Sequence, residues 1–174
     1  YARGREVGPM KLLYAEDEGA APAQKAALSL SGLAEQALEP FLQPMEAQGI
    51  ALERDIQPGV SLTADPAQLE QLLSLLLDNA VKYTGPGGRI RLSVKQEGKR
   101  PRLCLENTCP QLPTVPPEKL FDRFYRGDAA RTQKEGGYGI GLAVARSLAQ
   151  ANQGSLHAQY LPPQAIRFVA QFLN

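Results

Sequence analysis

The 174-residue chain holds a single histidine, His157, and two cysteines, Cys104 and Cys109. These scarcities exclude several chemistries. One histidine and two cysteines make a zinc cluster improbable, and neither a CxxC pair nor a disulfide framework is present. Ser-His-Asp or Cys-His hydrolysis would have to pass through His157. That residue sits in the alternating stretch Ser155–Tyr160, which reads as a strand, and no GxSxG turn occurs anywhere. His157 therefore reads as an ordinary strand residue, with a phosphoacceptor or catalytic role as the alternative. An excess of either charge is also missing: 19 Lys+Arg against 18 Asp+Glu leave a net +1. That balance argues against a broad nucleic-acid or membrane-surface footprint. The longest aliphatic run is Leu75-Leu76-Leu77, with Leu72-Leu73 just before it. It falls far short of the roughly 20 residues that span a bilayer. With no secretory signal pattern either, the sequence reads as a soluble, cytosolic piece, and any membrane helices would belong to a larger parent protein.

What is present supports a packed core. Hydrophobic residues make up 43% and charged residues 21%, which suits one domain with an appendage. Residues 1–30 differ from the rest. Lys11–Ala15 suggests one or two helical turns, and the surrounding Gly, Ala and acidic residues read as the tail of a helix and a linker. From Ser31 to Gln48, Leu33, Ala37, Leu38, Phe41, Leu42 and Met45 recur at helical spacing. Pro40 and Pro44 inside that run predict a kink or a break, and Gly49 a stop. Strands are predicted over Ile50–Ile56 and Val60–Ala64, with a turn at Pro58-Gly59. The best-marked helix follows. Asp65 is its N-cap, Pro66 its first residue, and Leu69, Leu72, Leu73, Leu76, Leu77 and Ala80 its apolar face. Gly85-Pro86-Gly87-Gly88 ends it. Strands over Arg89–Gln96 and Arg102–Asn107 precede a Pro-rich loop, Pro110–Pro117. A short helix over Glu118–Tyr125, a loop over Arg126–Gly137 and a helix over Ile140–Ala151 come next. A hairpin of Ser155–Leu161 and Ala165–Leu173 closes the chain. This order predicts an α+β, two-layer α/β sandwich with helices on one face of a mixed, mostly antiparallel sheet.

Three segments offer chemistry. In Asp78-Asn79-Ala80-Val81-Lys82-Tyr83, Asn79 stands at the margin of the apolar stripe, and a polar amide there needs a partner. It fits either a bond to a neighbouring loop or an oxygen ligand for a hard cation such as Mg²⁺, with Lys82 close by to meet phosphate. Gly136-Gly137-Tyr138-Gly139-Ile140-Gly141-Leu142 runs into a helix and fits either a structural turn or a cradle in which backbone N–H groups meet phosphate. Leu142 stands where GxGxxG needs glycine, and no GxxxxGK[ST] exists, so neither dinucleotide-binding nor P-loop chemistry is indicated. Phe121-Asp122-Arg123-Phe124-Tyr125-Arg126 reads as aromatic packing with arginines at the start of the following loop.

Taken in this order and spacing, the three segments resemble the catalytic, ATP-binding domain of sensor histidine kinases, in the superfamily shared with gyrase-type ATPases. Asp78–Tyr83 is similar to the N box, Phe121–Arg126 to the F box and Gly137–Leu142 to the G2 box, and the resemblance covers residues 33–174. It implies an ATP-binding (Bergerat-type) fold over residues 31–174, preceded by the end of a dimerisation helix and a linker in residues 1–30. It implies ATP and Mg²⁺ as ligands, with Asn79 on the metal. Lys82, Tyr83, Arg126 and the backbone of Gly139 and Gly141 would face the phosphates; Gly137, Ile140 and Leu142 complete the cradle, and Asn107 meets the adenine. Further implied are transfer of the γ-phosphoryl to a histidine on a dimerisation domain upstream of residue 1 and relay to a response regulator. The full-length protein would be a homodimer, with this part a cytoplasmic domain of a membrane-anchored sensor and no nucleic acid involved. Two departures stand out. Where the family usually has DxGxG, this chain reads Asn107-Thr108-Cys109-Pro110-Gln111, and Leu75 replaces a commonly polar residue one turn before Asn79. They leave open an alternative: a nucleotide-binding regulatory module with weakened or lost kinase activity. A gyrase-type ATPase is disfavoured, since Leu75 is no general base.

Overall fold

The computed structural model describes residues 21–122 and 141–173. Among them are seven strands, three α-helices and one 3-10 helix. The chain enters through β1 (Ala26–Ser29) and α1 (Leu30–Ala47), whose N-cap Ser29 accepts from the Gly32 N–H at 3.0 Å. Helix α1 runs through Pro40 and Pro44 without the expected break. Both prolines are exposed, so water can take up the carbonyls that their missing N–H groups leave free. Gly49 adopts φ +68° and ends the helix as expected.

Strand β1 lies in the stretch that the sequence suggested as linker. Three of its four residues are exposed, so no alternation marks it. It pairs antiparallel with β3 (Ser61–Ala64), Leu28 opposite Leu62, as a separate two-stranded sheet.

The main sheet runs β2-β4-β5-β7-β6, from β2 (Ala51–Ile56), β4 (Arg89–Glu97), β5 (Arg100–Thr108), β6 (Gly154–Leu161) and β7 (Ala165–Phe172). Only β2 and β4 are parallel, so the sheet is mixed and mostly antiparallel. Alternation decides its two faces. Leu103, Leu105, Ile166, Phe168 and Phe172 point into the core. The opposite face carries ion pairs: Arg91 with Glu53 and Asp55, Lys95 with Asp55, Arg167 with Glu106.

Helix α2 (Pro66–Thr84) covers the core face with α1 and α3 (Gly141–Ala151). All six apolar residues of the expected α2 face are buried, each contributing about 1.5–3 kcal/mol for the leucines. Asp65 caps α2. Its Oδ1 accepts from the Ala67 and Gln68 N–H groups, and its Oδ2 from Gln24 N–H at 2.8 Å. These bonds, that of Gln24 foremost, hold its carboxyl below the ordinary range. Asn152, just beyond α3, receives the Asp65 N–H and donates to Gln68 Oε1 and the Leu148 carbonyl. Buried polar bonds thus tie the start of α2 to the end of α3. Over the described part of the helix expected at Glu118–Tyr125 there is a 3-10 helix, Pro117–Phe121, led in by Pro116 and followed by extended Asp122; residues 123–125 lie outside the described residues.

Candidate functional site

Asn79, Lys82 and Tyr83 occupy the last turns of α2. Asn79 is half-buried, as its marginal place on the apolar stripe requires. One turn earlier, the Leu75 Cδ2 lies 3.9 Å from where a Cβ at Gly141 would stand. The N-box helix therefore meets the start of α3 at Leu75, and a side chain on Gly141 would find ordinary contact and no clash. Leu142, the next residue, is buried and anchors that helix start. Lys82 pairs with Asp78 at 3.1 Å, both largely exposed. Such an i,i+4 pair contributes only about 0.3–0.5 kcal/mol, so its ammonium is easily released to an anion. Tyr83 packs half-buried against the core.

Asn107 lies near the end of β5 on the core-facing side, opposite Ile90. It is 2% exposed. Its Nδ2 donates to the Thr108 carbonyl at 2.9 Å, while its Oδ1 has no hydrogen-bond partner among the described residues. A buried acceptor left unpaired costs about 1–3 kcal/mol, and native interiors rarely tolerate one without a ligand or water to fill it. The site is joined to α2 through Gly88. A Cβ there would lie 2.1 Å from Thr84 Cγ2 and 2.6 Å from Thr108 Oγ1. Only glycine admits the end of α2 so close to the end of β5. Arg89 N–H donates to the same Thr108 Oγ1 at 3.1 Å.

Asn79, Lys82, Tyr83, Asn107, Gly141 and Leu142 are thus placed around the ends of α2 and β5 and the start of α3. Arg126, Gly137, Gly139 and Ile140 lie outside the described residues. Sequence reasoning missed Thr84, Gly88 and Thr108, because the Gly-Pro-Gly-Gly stretch signalled only a helix end. It also missed Arg146 of α3, for which no motif stands. The Arg146 guanidinium lies 4.0 Å above the Phe121 ring, donates twice to the Leu156 carbonyl and pairs with Glu118. That bond from Arg146 is the main cause that lowers the Glu118 pKa. Phe121 itself packs edge-on against Phe168. His157 stands exposed on β6 with Nδ1 3.4 Å from Glu118 Oε2. Cys109 is buried, and burial pushes its thiol pKa up. Among the described residues no group of three His, Cys, Asp or Glu is placed to hold a metal. A cation here would take one protein oxygen from Asn79 and the rest from phosphate and water, which suits Mg²⁺. No described helix is long and apolar enough to cross a membrane.

The profile of the histidine kinase-, DNA gyrase B- and HSP90-like ATPases matches residues 64–173. The chain belongs to that ATPase family. Within it, the chain's likeness is to the sensor histidine kinases, and its fold is that of their catalytic domains. It is 33% identical over 156 residues to the signal transduction histidine-protein kinase BaeS of Escherichia coli (strain K12), covering 90% of this chain and 33% of that protein. It is 34% identical over 139 residues to the sensor histidine kinase YkoH of Bacillus subtilis (strain 168), covering 80% of this chain and 30% of that one. The chain therefore spans about a third of the length of these relatives. The catalytic domain of histidine kinase ThkA superposes with TM-score 0.76 at 20% identity, covering 86% of this chain and 95% of that one. ShkA full-length, solved in complex with AMPPNP, gives 0.71 at 26% identity over 88% of this chain and 32% of that one. ThkA has also been solved in complex with the response regulator protein TrrA.

Proposed function

We propose that residues 31–174 bind MgATP and transfer its γ-phosphoryl to a histidine on a dimerisation domain outside these residues, for relay to a response regulator. The observation that carries the ligand is Asn107: a buried amide whose Oδ1 lacks a partner among the described residues, at the strand end beside α2. Its Nδ2 is engaged by Thr108, so the free oxygen accepts from the adenine amino group. Asn79 offers its amide oxygen to Mg²⁺. A bound Mg²⁺ would supply positive charge that neutralises the phosphates. Lys82 leaves Asp78 for the phosphates, joined by Arg126, Tyr83 and the backbone of Gly137, Gly139 and Gly141, with Ile140 and Leu142 carrying the cradle into α3. Leu75 keeps water near the phosphates without a base, which favours transfer to an imidazole over hydrolysis.

In this reading residues 1–30 bring the end of a dimerisation helix and a linker, and the whole protein is a homodimeric, membrane-anchored sensor with this domain on the cytoplasmic side. The neutral Asn107 and the missing glycines of the DxGxG pattern favour a second reading, a nucleotide-binding regulatory module without transfer. One experiment separates the two. This domain is mixed with radiolabelled ATP and a separately supplied dimerisation domain of a related kinase. Acid-labile label on that domain supports transfer; ATP binding without label supports the regulatory module; label on this chain through His157 contradicts the assignment.

A further inference from the structure

Thr84 ends α2 with its side chain 2% exposed and its hydroxyl Oγ1 without a hydrogen-bond partner among the described residues. A threonine near a helix end ordinarily bonds back to a carbonyl one turn earlier; Thr84 makes no such bond. The same condition holds for Asn107 Oδ1. The two residues flank one place, where Thr84 and Thr108, the residue after Asn107, both close on Gly88. The position of a Cβ on Gly88 is 2.1 Å from Thr84 Cγ2 and 2.6 Å from Thr108 Oγ1, and Asn107 donates to the carbonyl of Thr108. One helix end and one strand end therefore present a hydroxyl, which can donate, and an amide oxygen, which can only accept. Neither has a hydrogen-bond partner among the described residues. A purine edge with an amino group beside a ring nitrogen matches that pair.

We propose that Thr84 is a further base-binding residue: its hydroxyl donates to ring nitrogen N1 of adenine while Asn107 Oδ1 accepts from the neighbouring 6-amino group. The inference rests on the nucleotide-site reading above and deepens it. The five steps from Asn79 to Thr84 rise about 7.5 Å along α2, which separates a phosphate end from a base end on one helix.

The test is calorimetric titration of the protein with ATP and 1-deaza-ATP in Mg²⁺, repeated for Thr84→Val and Thr84→Ser. Valine keeps the methyl group beside Gly88 and removes only the hydroxyl. The native protein should bind ATP about fivefold more tightly than 1-deaza-ATP, the factor expected for one neutral hydrogen bond. Thr84→Val should weaken ATP binding about fivefold and abolish that preference; Thr84→Ser should keep both. Equal affinity of the native protein for ATP and 1-deaza-ATP overturns the proposal without any variant. So does a Thr84→Val protein that still prefers ATP. Were the native protein to bind no nucleotide at all, the nucleotide-site reading would fall with it; native binding that Thr84→Val leaves unchanged removes the Thr84 assignment alone.

Discussion

Gly88→Ala adds a methyl group where three atoms already stand: Thr84 Cγ2 at 2.1 Å, Thr108 Oγ1 at 2.6 Å and the Thr84 carbonyl oxygen at 3.1 Å. The first neighbour cannot swing away freely, because a β-branched side chain in a helix has few open rotamers. The second is held by the Arg89 N–H, and the third is backbone. Something must shift, and forced overpacking of this kind costs about 1–3 kcal/mol. In a domain of this size that lowers the melting temperature by about 2–12 °C. The movement should also part α2 from β5 and disturb Asn107, so nucleotide affinity should fall with stability. Thr84→Ser removes the nearest methyl. Gly88→Ala/Thr84→Ser should therefore lose less stability than the sum of the two single changes, by at least about 0.5 kcal/mol. Urea denaturation of the four proteins measures the cycle. A Gly88→Ala protein within about 0.5 kcal/mol of the parent, or strict additivity in the double variant, would refute the claim that Gly88 is required by close approach.

Leu75→Glu puts a carboxylate one turn before Asn79 and should raise phosphate release from ATP, whereas Leu75→Ala should not; unchanged hydrolysis in the Glu variant contradicts the shielding role. Asp65 has its pKa depressed in the folded state, chiefly by the Gln24 N–H. Its contribution is therefore present above the ordinary carboxylate range and lost as pH falls through its lowered folded value. Asp65→Ala should cost about 0.5–2 kcal/mol at neutral pH, and denaturation curves should show the difference from the parent shrinking in acid; a difference that holds constant with pH would refute it.

The strong helix α2 was legible because cap, first-turn proline and apolar stripe agree over 19 residues. The sheet's hairpins were legible from alternation and turn residues, and the core-facing set of β7 follows that pattern without exception. Strand β1 was not, since four mostly exposed residues held by a neighbouring strand carry no periodic signal. The break allowed for at Pro40 and Pro44 is absent from α1, because a sequence does not say which face looks onto water. At the site, Asn79 stood out by its place at the margin of the apolar stripe, whereas Asn107 came only with the family resemblance. Thr84 and Gly88 were invisible for the opposite reason: beside their own local contact, what singles them out is the approach of Thr108 from the end of β5, which no local pattern encodes. Arg146 is similar, tying the 3-10 helix, α3 and β6 through partners 10 and 28 residues away.

The central claim is that the ends of α2 and β5 form an MgATP site, and isothermal calorimetry with ATP, with and without Mg²⁺, tests it most directly on the native protein and on Asn79→Ala. Alanine is a better helix former than asparagine, so circular dichroism should show the fold intact. The native protein should bind ATP weakly, at tens of micromolar or above, and more tightly with Mg²⁺; Asn79→Ala should lose the Mg²⁺-dependent gain. Absence of binding to the native protein at millimolar ATP, or an Asn79→Ala protein that keeps the full Mg²⁺ gain, would contradict it.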